Sequence, residues 1–255
     1  MSDVISAGTV FIGRSLRHSA RDIESLVMSV TLPVMLMLLF TYVFGGAVAG
    51  DPASYAAYVV PGTVLLCAGF GAATTAVGVA NDLSGGMVDR LRRMPVPAWT
   101  LLVGHVVASL VRNLVATAIV LGVGVLLGFR PTAGLLGWIG AIGVIAAWVL
   151  AVTAVFALIG LLSGSPEAAN GYGFIVLFLP YVSSAFVPVD TLPTWMRGFA
   201  EHQPVTPVIE SVRALLAGNA PGPDLWWALG WALGLLVVAT ALMAYVFPRR
   251  RSRAA

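Results

Sequence analysis

Few side chains in this sequence could perform covalent or metal chemistry. Their spacing predicts neither a nucleophilic site nor a metal site. The 14 basic residues other than histidine are all arginine. Without lysine, the chain can form neither a phosphate-binding P-loop nor a Schiff base. Cys67 is the single cysteine, which excludes an internal disulfide and a cysteine-based metal cluster. Glu201 and His202 are adjacent, but no second histidine follows them at the spacing of a zinc-binding HExxH helix.

The 11 acidic residues fall in loops, in tails or at the ends of apolar stretches. Carriers driven by a proton or sodium gradient place Asp or Glu within their membrane spans, where the carboxylate takes part in ion transfer. The sequence therefore argues against an ion-coupled carrier, which stays one alternative. A transporter that has neither a coupling carboxylate nor a nucleotide site of its own needs an external motor.

The composition requires a membrane around these residues. The chain is 59% hydrophobic and 10% charged, and its mean hydropathy is +0.94, whereas a soluble domain carries about 25% charged residues. We predict an all-α integral membrane protein with six transmembrane helices, each needing about 20 apolar residues. The predicted spans are residues 25–46, 55–80, part of 99–129, 135–162, 171–189 and 225–247.

Arginine placement predicts the orientation of these spans, because cytoplasmic loops are enriched in Lys and Arg. With both termini in the cytoplasm, ten arginines lie inside, three lie outside, and Arg112 lies within the third span. The excess of arginine in the inner segments also explains the pI of about 9.4, so the basic pI does not require a nucleic-acid partner. We therefore predict a multi-pass protein of the cell membrane whose termini are both cytoplasmic.

Two segments outside the spans are predicted to lie at the membrane surface. Residues 1–24 have an apolar half followed by three arginines, which favours an interfacial helix over an arginine-bearing tail. Residues 190–224 predict one or two short amphipathic helices near the outer interface. In that segment the apolar positions of residues 208–216 lie opposite Glu210 and Arg213.

The third span carries a polar face, because His105, Ser109, Asn113 and Thr117 recur at helical spacing. Such a face usually packs against neighbouring helices, and lining a substrate gate is the alternative. The apolar run is longer than a bilayer needs. Arg112 is therefore predicted near the inner boundary, where its long side chain can reach the headgroups.

The inner loop at residues 81–98 has the most informative pattern in the chain. Leu83, Met87 and Leu91 recur at helical spacing and predict a short amphipathic helix that ends before Pro95. Such a helix can dock into a groove on a soluble partner. The alternative is a charged loop that only sets the membrane topology.

This loop, NDLSGGMVDRLRRMPVP at residues 81–97, resembles the inner-loop motif of type-2 ABC exporter permeases, the daunorubicin-resistance membrane-protein group. Residues 178–219 resemble the same group through Ser-x-x-Phe-Val-Pro, Leu-Pro-x-Trp, Gln-Pro-Val-Thr-Pro and Arg-x-Leu-Leu-x-Gly, in that order. Gly104, Arg112-Asn113 and Leu127-Gly128-Phe129 fit the pattern between these two regions. The likeness extends over nearly the whole chain and rests on two separated motifs.

The resemblance implies the membrane-spanning permease of an ATP-driven exporter that moves a drug-like, lipid or glycan substrate outward. Two such permeases, identical or homologous, would pair, each served by a separately encoded ATPase subunit that binds ATP and Mg²⁺. This chain would itself bind no cofactor and would not be an enzyme. Residues 1–24 would form the elbow helix, the loop at 81–98 the coupling helix, and residues 190–224 would partly re-enter the membrane. A non-transporting structural or assembly protein of the membrane is the alternative from another class.

Candidate site residues follow from the same resemblance. The residues predicted to couple the loop to the ATPase are Asp82, Leu83, Gly86, Met87, Asp89, Arg90, Leu91, Arg93 and Pro95. In this group, spans one, two and five face the partner permease and the translocation path, so their aromatic side chains are candidate pathway residues. These are Phe40, Tyr42, Phe44, Tyr55, Tyr58, Phe70, Phe174, Phe178 and Tyr181. Packing or lipid contact is the alternative role for each of them.

Overall fold

The long apolar stretches form helices. A bilayer favours helices because each backbone polar group can then form its hydrogen bond within its own segment. The computed structural model describes residues 13, 23–46, 52–86 and 100–249, and every regular element in this part of the chain is helical. A π-helical turn, Phe40–Phe44, continues the first helix. The α-helices are α1 (Ile23–Leu39), α2 (Pro52–Ser84), α3 (Thr100–Leu126), α4 (Leu135–Leu162), α5 (Pro166–Leu177), α6 (Thr194–His202), α7 (Val205–Leu216) and α8 (Asp224–Val246).

Four helices of the described chain, α2, α3, α4 and α8, are long and apolar enough to cross a membrane. They confirm the second, third, fourth and sixth predicted spans as helices. The first predicted span coincides with α1, a shorter apolar helix whose apolar part continues through Ser29–Val43. The predicted interfacial helix at residues 1–24 falls almost entirely outside the described residues. The total of six spans stays a prediction.

The fifth predicted span, residues 171–189, is wrong as a single helix. The α-helix ends at Leu177, a 3-10 turn follows at Leu179–Val182, and the chain is then irregular up to Pro188. Proline contributes to this break, because Pro180 and Pro188 have no backbone N–H with which to continue a helix. The break places irregular backbone next to the other helices of the bundle.

The central helix of the bundle is α2. It packs against α1, α3, α4, α5 and α7, and every residue from 59 to 68 is buried. The last helix, α8, lies against α4 and α7 and exposes Leu233, Val237 and Val238. Such an apolar outer surface is typical of a helix that faces lipid or a protein partner. Trp226 and Trp227 are exposed in the first turn of α8, a position typical of tryptophan at a membrane interface.

The polar face of α3 packs against its neighbours, as predicted. Ser109 Oγ lies 3.2 Å from Thr153 Oγ1 on α4. The side chain of Arg112, in the middle of α3, differs from the prediction in the groups that it meets. Its guanidinium donates to the Gly71 carbonyl on α2 at 2.9 Å and also bonds Thr74. The side chain therefore points into the bundle, where α2 supplies acceptors, and not toward the headgroups.

The segment at residues 190–224, for which the sequence predicts one or two short helices, contains two, α6 and α7. The apolar side of α7 is buried, including Val208, Ile209 and Val212. This helix packs against α2, α4 and α8, so it belongs to the bundle rather than lying beside it. Glu210 and Arg213, which the pattern places on the opposite side, are only partly exposed.

Candidate functional site

The segment predicted to meet the ATPase leaves the bundle where α2 ends. The helix is closed by the Gly85 N–H, which donates to the Asn81 carbonyl at 2.8 Å. The next N–H, of Gly86, donates to the Leu83 carbonyl at 3.3 Å. Gly86 has a φ of +68°, a left-handed conformation that favours glycine and terminates α-helices. The chain thus changes direction at this residue.

This helix end corrects one part of the sequence prediction. Leu83 belongs to α2 and packs against a buried cluster that includes Leu101 and Leu158. The prediction that Leu83, Met87 and Leu91 share one amphipathic helix is therefore wrong, because Gly86 interrupts it. The remaining residues predicted to couple the chain to the ATPase lie outside the described residues. They are Met87, Asp89, Arg90, Leu91, Arg93 and Pro95.

A contact between two polar side chains joins α2 and α3 at this end of the bundle. Asp82 Oδ2 lies 2.8 Å from His105 Nε2, and about one fifth of each side chain is exposed. Asp82 is in the last turn of α2, and His105 is in the second turn of α3. The contact therefore holds together the two helices that flank residues 87–99.

The broken fifth segment runs antiparallel along α2, toward the beginning of that helix. Gly173 lies beside Ala73, and Leu177 contacts Gly69. Ala185 lies against Gly62, where a Cβ would come within 2.6 Å of its Cα atom. Glycine is needed at position 62 because the irregular backbone approaches α2 this closely. From residue 173 to residue 185 the segment thus follows α2 for about three turns.

Side chains from other elements bond the polar backbone groups of this irregular segment. The Tyr55 hydroxyl on α2 donates to the Phe186 carbonyl at 2.6 Å. Arg213 on α7 donates to the Ser184 carbonyl at 2.9 Å, and the Ser184 N–H reaches Thr206 Oγ1 at 3.4 Å. Irregular backbone is tolerated in a membrane protein only where protein or a watery cavity satisfies it. Here α2 and α7 fulfil that requirement.

Arg213 is the most connected side chain of this region. Besides the Ser184 carbonyl, it donates to the Tyr58 carbonyl on α2 at 3.1 Å. Its guanidinium carbon lies 4.0 Å from the centre of the Tyr58 ring, a cation–π contact. It also forms an ion pair with Glu210, one turn earlier on α7. The sequence pattern missed this role, because it placed Arg213 on a solvent-facing side.

Aromatic rings form a continuous chain beside this junction. The ring centres of Phe178 and Tyr181 are 6.1 Å apart, and those of Tyr181 and Phe186 are 5.6 Å apart. Phe40 stacks on Phe186 at 4.5 Å. Tyr55, whose hydroxyl bonds the Phe186 backbone, stacks on Tyr58 at 6.3 Å. Five of the predicted pathway residues thus come together, with Phe186 as a sixth ring that the prediction omitted.

The other predicted pathway residues lie apart from this chain of rings. Tyr42 and Phe174 are exposed at 65% and 53%, as is Phe178 in the chain of rings at 63%, but neither stacks on one of these rings within the described residues. Phe70 is partly buried and packs against the main core. The side chain of Phe44 lies outside the described residues. The residues that sequence reasoning missed, Phe186 among them, sit in the motifs of residues 178–219, so those motifs were the signal that could have found them.

Comparisons with known proteins identify a family and similar sequences. Residues 8–217 match the sequence profile of the family described as ABC-2 type transporter. The chain is 29% identical, over 97% of its length and 88% of the other protein, to the daunorubicin resistance ABC transporter permease protein DrrB1 of Streptomyces coeruleorubidus. It is 28% identical, over 92% of its length and 86% of the other protein, to the probable doxorubicin resistance ABC transporter permease protein DrrC of Mycobacterium tuberculosis.

Proposed function

Because the chain belongs to the ABC-2 type transporter family, we propose that it is the permease subunit of an exporter that a separate ATPase subunit drives. The observation that carries this proposal is the match to permease subunits over 97% of the chain. The lack of lysine supports the separate motor, since a P-loop cannot form without it. ATP and Mg²⁺ would then bind the partner, and this chain would supply the membrane path.

We propose six membrane crossings with both termini in the cytoplasm. The fifth crossing consists of α5 and the 3-10 turn at Leu179–Val182. Twelve α-helical residues span about 18 Å and four 3-10 residues about 8 Å, which together approach the ~30 Å of a hydrocarbon core. α1, α2, α3, α4 and α8 form the others. The Asp82 end of the bundle is then cytoplasmic, and the Arg213 end faces outward.

Cysteine labelling in intact cells tests this orientation. In a Cys67→Ala background, a membrane-impermeant thiol reagent should label Pro221→Cys, between α7 and α8. The same reagent should label Ser252→Cys only after the membrane is opened, because the arginine-rich C-terminus remains in the cytoplasm. Labelling of Ser252→Cys in intact cells would contradict the proposed topology.

We propose that the substrate is a drug-like aromatic amphiphile. The two relatives are named for resistance to daunorubicin and doxorubicin. The chain of rings from Phe178 to Phe40 supports an aromatic substrate, because offset stacking between rings is favourable by about 0.5–1.5 kcal/mol beyond area burial. A lipid-linked or glycan substrate is the other chemistry that the sequence leaves open.

Inside-out vesicles containing the permease and its ATPase test the function directly. We expect ATP-dependent accumulation of daunorubicin only when both subunits are present, and no ATP hydrolysis by the purified permease alone. ATP hydrolysis by the permease alone would contradict the division of labour. If a lipid-linked glycan stimulates the complex and daunorubicin does not, the exporter stands and the proposed substrate class is wrong.

A further inference from the structure

Arg213 connects three elements of the bundle: α7, α2 and the irregular segment that contains Ser184. The arginine belongs to α7, which packs against α4 and α8 as well as α2. Its two carbonyl partners belong to α2, at Tyr58, and to the irregular segment, at Ser184. α2 in turn leads straight to the segment predicted to meet the ATPase. One guanidinium thus connects the helix nearest the motor with the end of the bundle proposed to face outward.

We infer that Arg213 is a positioning residue for transport: its guanidinium keeps the outward end closed, and export requires it to release and remake its bonds to the Tyr58 and Ser184 carbonyls. This inference rests on the proposed exporter function. The guanidinium is suited to this role, because its several N–H donors can form hydrogen bonds with two carbonyls and a carboxylate at the same time. Glu210 balances the charge while the site is closed.

The chemistry of these contacts allows them to open and close. Bonds from a cation to backbone carbonyls are stronger than neutral ones, so they hold the closed state. When a pathway fills with water, water can replace the guanidinium at both carbonyls. The Ser184 carbonyl lies outside any helix, so releasing it does not require unwinding. Phe186, two residues later, stacks on Phe40 and Tyr181, so movement at Ser184 is passed to the rings.

The first arm of the test measures closure without any transport assay. Ser184 is 1% exposed, and its hydroxyl makes no hydrogen bond within the described part of the chain, so Ser184→Cys is a conservative probe in a Cys67→Ala background. With Arg213→Ala, we expect thiol labelling of this cysteine to be about tenfold faster, the scale for losing a charge-assisted bond. Arg213→Lys should give an intermediate rate, because an ammonium lacks the planar fork.

Arg130 supplies the matched control for this arm. It also lies near the outward end and donates to a single carbonyl, that of Val125, from an exposed position. Arg130→Ala should leave the labelling of Ser184→Cys unchanged. If Arg213→Ala changes the labelling rate by less than about twofold, the inference is overturned, because such a change is too small for the loss of a charged hydrogen bond. If Arg213→Ala fails to fold, Glu210→Gln replaces it in the experiment. We again expect faster labelling of Ser184→Cys, and an unchanged rate would again overturn the inference.

The second arm measures coupling in the complete transporter. We expect Arg213→Ala to hydrolyse ATP at near the parent rate while moving about tenfold less substrate per ATP, and Arg213→Lys to restore part of that ratio. A purely structural role would lower hydrolysis, transport and protein yield together and leave their ratio unchanged, which would overturn the inference. If the parent complex moves no substrate, the proposed function fails, while the labelling arm still decides whether Arg213 closes this end.

Discussion

Replacement of Gly160 by leucine should leave little folded permease in the membrane. A Cβ at Gly160 would lie 2.3 Å from the Ala76 carbonyl oxygen and 2.9 Å from its Cα atom, so α2 and α4 meet backbone to backbone here. Overpacking costs about 1–3 kcal/mol, and more where the neighbour is rigid backbone. That is a large share of the ~5–15 kcal/mol that stabilises a folded domain. Thermal unfolding in detergent measures the loss.

Gly143, in the same helix, provides the control. A Cβ there meets no atom within 4 Å, so Gly143→Leu should unfold at or above the parent temperature, helped by the higher helix propensity of leucine. Equal unfolding temperatures for Gly160→Leu and Gly143→Leu would show that the close contact between α2 and α4 does not limit stability.

Replacement of Arg90 by glutamate should abolish most recovery of the ATPase partner and leave insertion of the permease intact. Arg90 lies in the loop of residues 81–98, outside the described residues, so this expectation rests on the sequence. Loss of an interface hot spot costs about 2 kcal/mol or more, close to a thirtyfold weaker complex. Co-purification of the ATPase with tagged permease measures it, and Leu91→Ala should act in the same direction.

Arg251 makes the control for that experiment, because it is also predicted to be cytoplasmic but lies near the C-terminus rather than in the loop. A loop that only sets topology predicts that Arg90→Glu and Arg251→Glu behave alike, since the other inner arginines remain. Parent-level recovery of the ATPase with Arg90→Glu, together with parent-level transport, would contradict a coupling role.

The long helices could be predicted from the sequence because each depends on local information. The fourth predicted span has the same limits as α4, residues 135 to 162, because the polar and Pro/Gly-rich stretches before and after it cannot continue a spanning helix. The irregular segment at residues 183–188 could not be predicted in the same way. Its irregular backbone is stabilised by bonds such as that from Tyr55 to Phe186, 131 residues away in sequence.

The role of Arg213 shows why amphipathic patterns mislead inside a membrane protein. In a soluble protein, the side of a helix opposite its apolar face meets water. In this bundle the corresponding side of α7 meets the Tyr58 and Ser184 carbonyls. The pattern identified the buried positions Val208 and Val212 correctly, but periodicity does not distinguish water from backbone acceptors. The partners of the Arg112 side chain were mispredicted for a similar reason, since its acceptors lie on α2.

The dependence of residues 183–188 on distant side chains constrains the order in which the bundle assembles. Tyr55 precedes Phe186 by 131 residues and leaves the ribosome long before it, whereas Thr206 and Arg213 follow Ser184 by 22 and 29 residues and leave the ribosome after it. Until α7 follows, the Ser184 amide and carbonyl lack these bonding partners, and lipid supplies none. The Ser184 amide and carbonyl can therefore form these hydrogen bonds only once α7 has joined the bundle. Final assembly is coupled to the arrival of α7 rather than proceeding helix by helix.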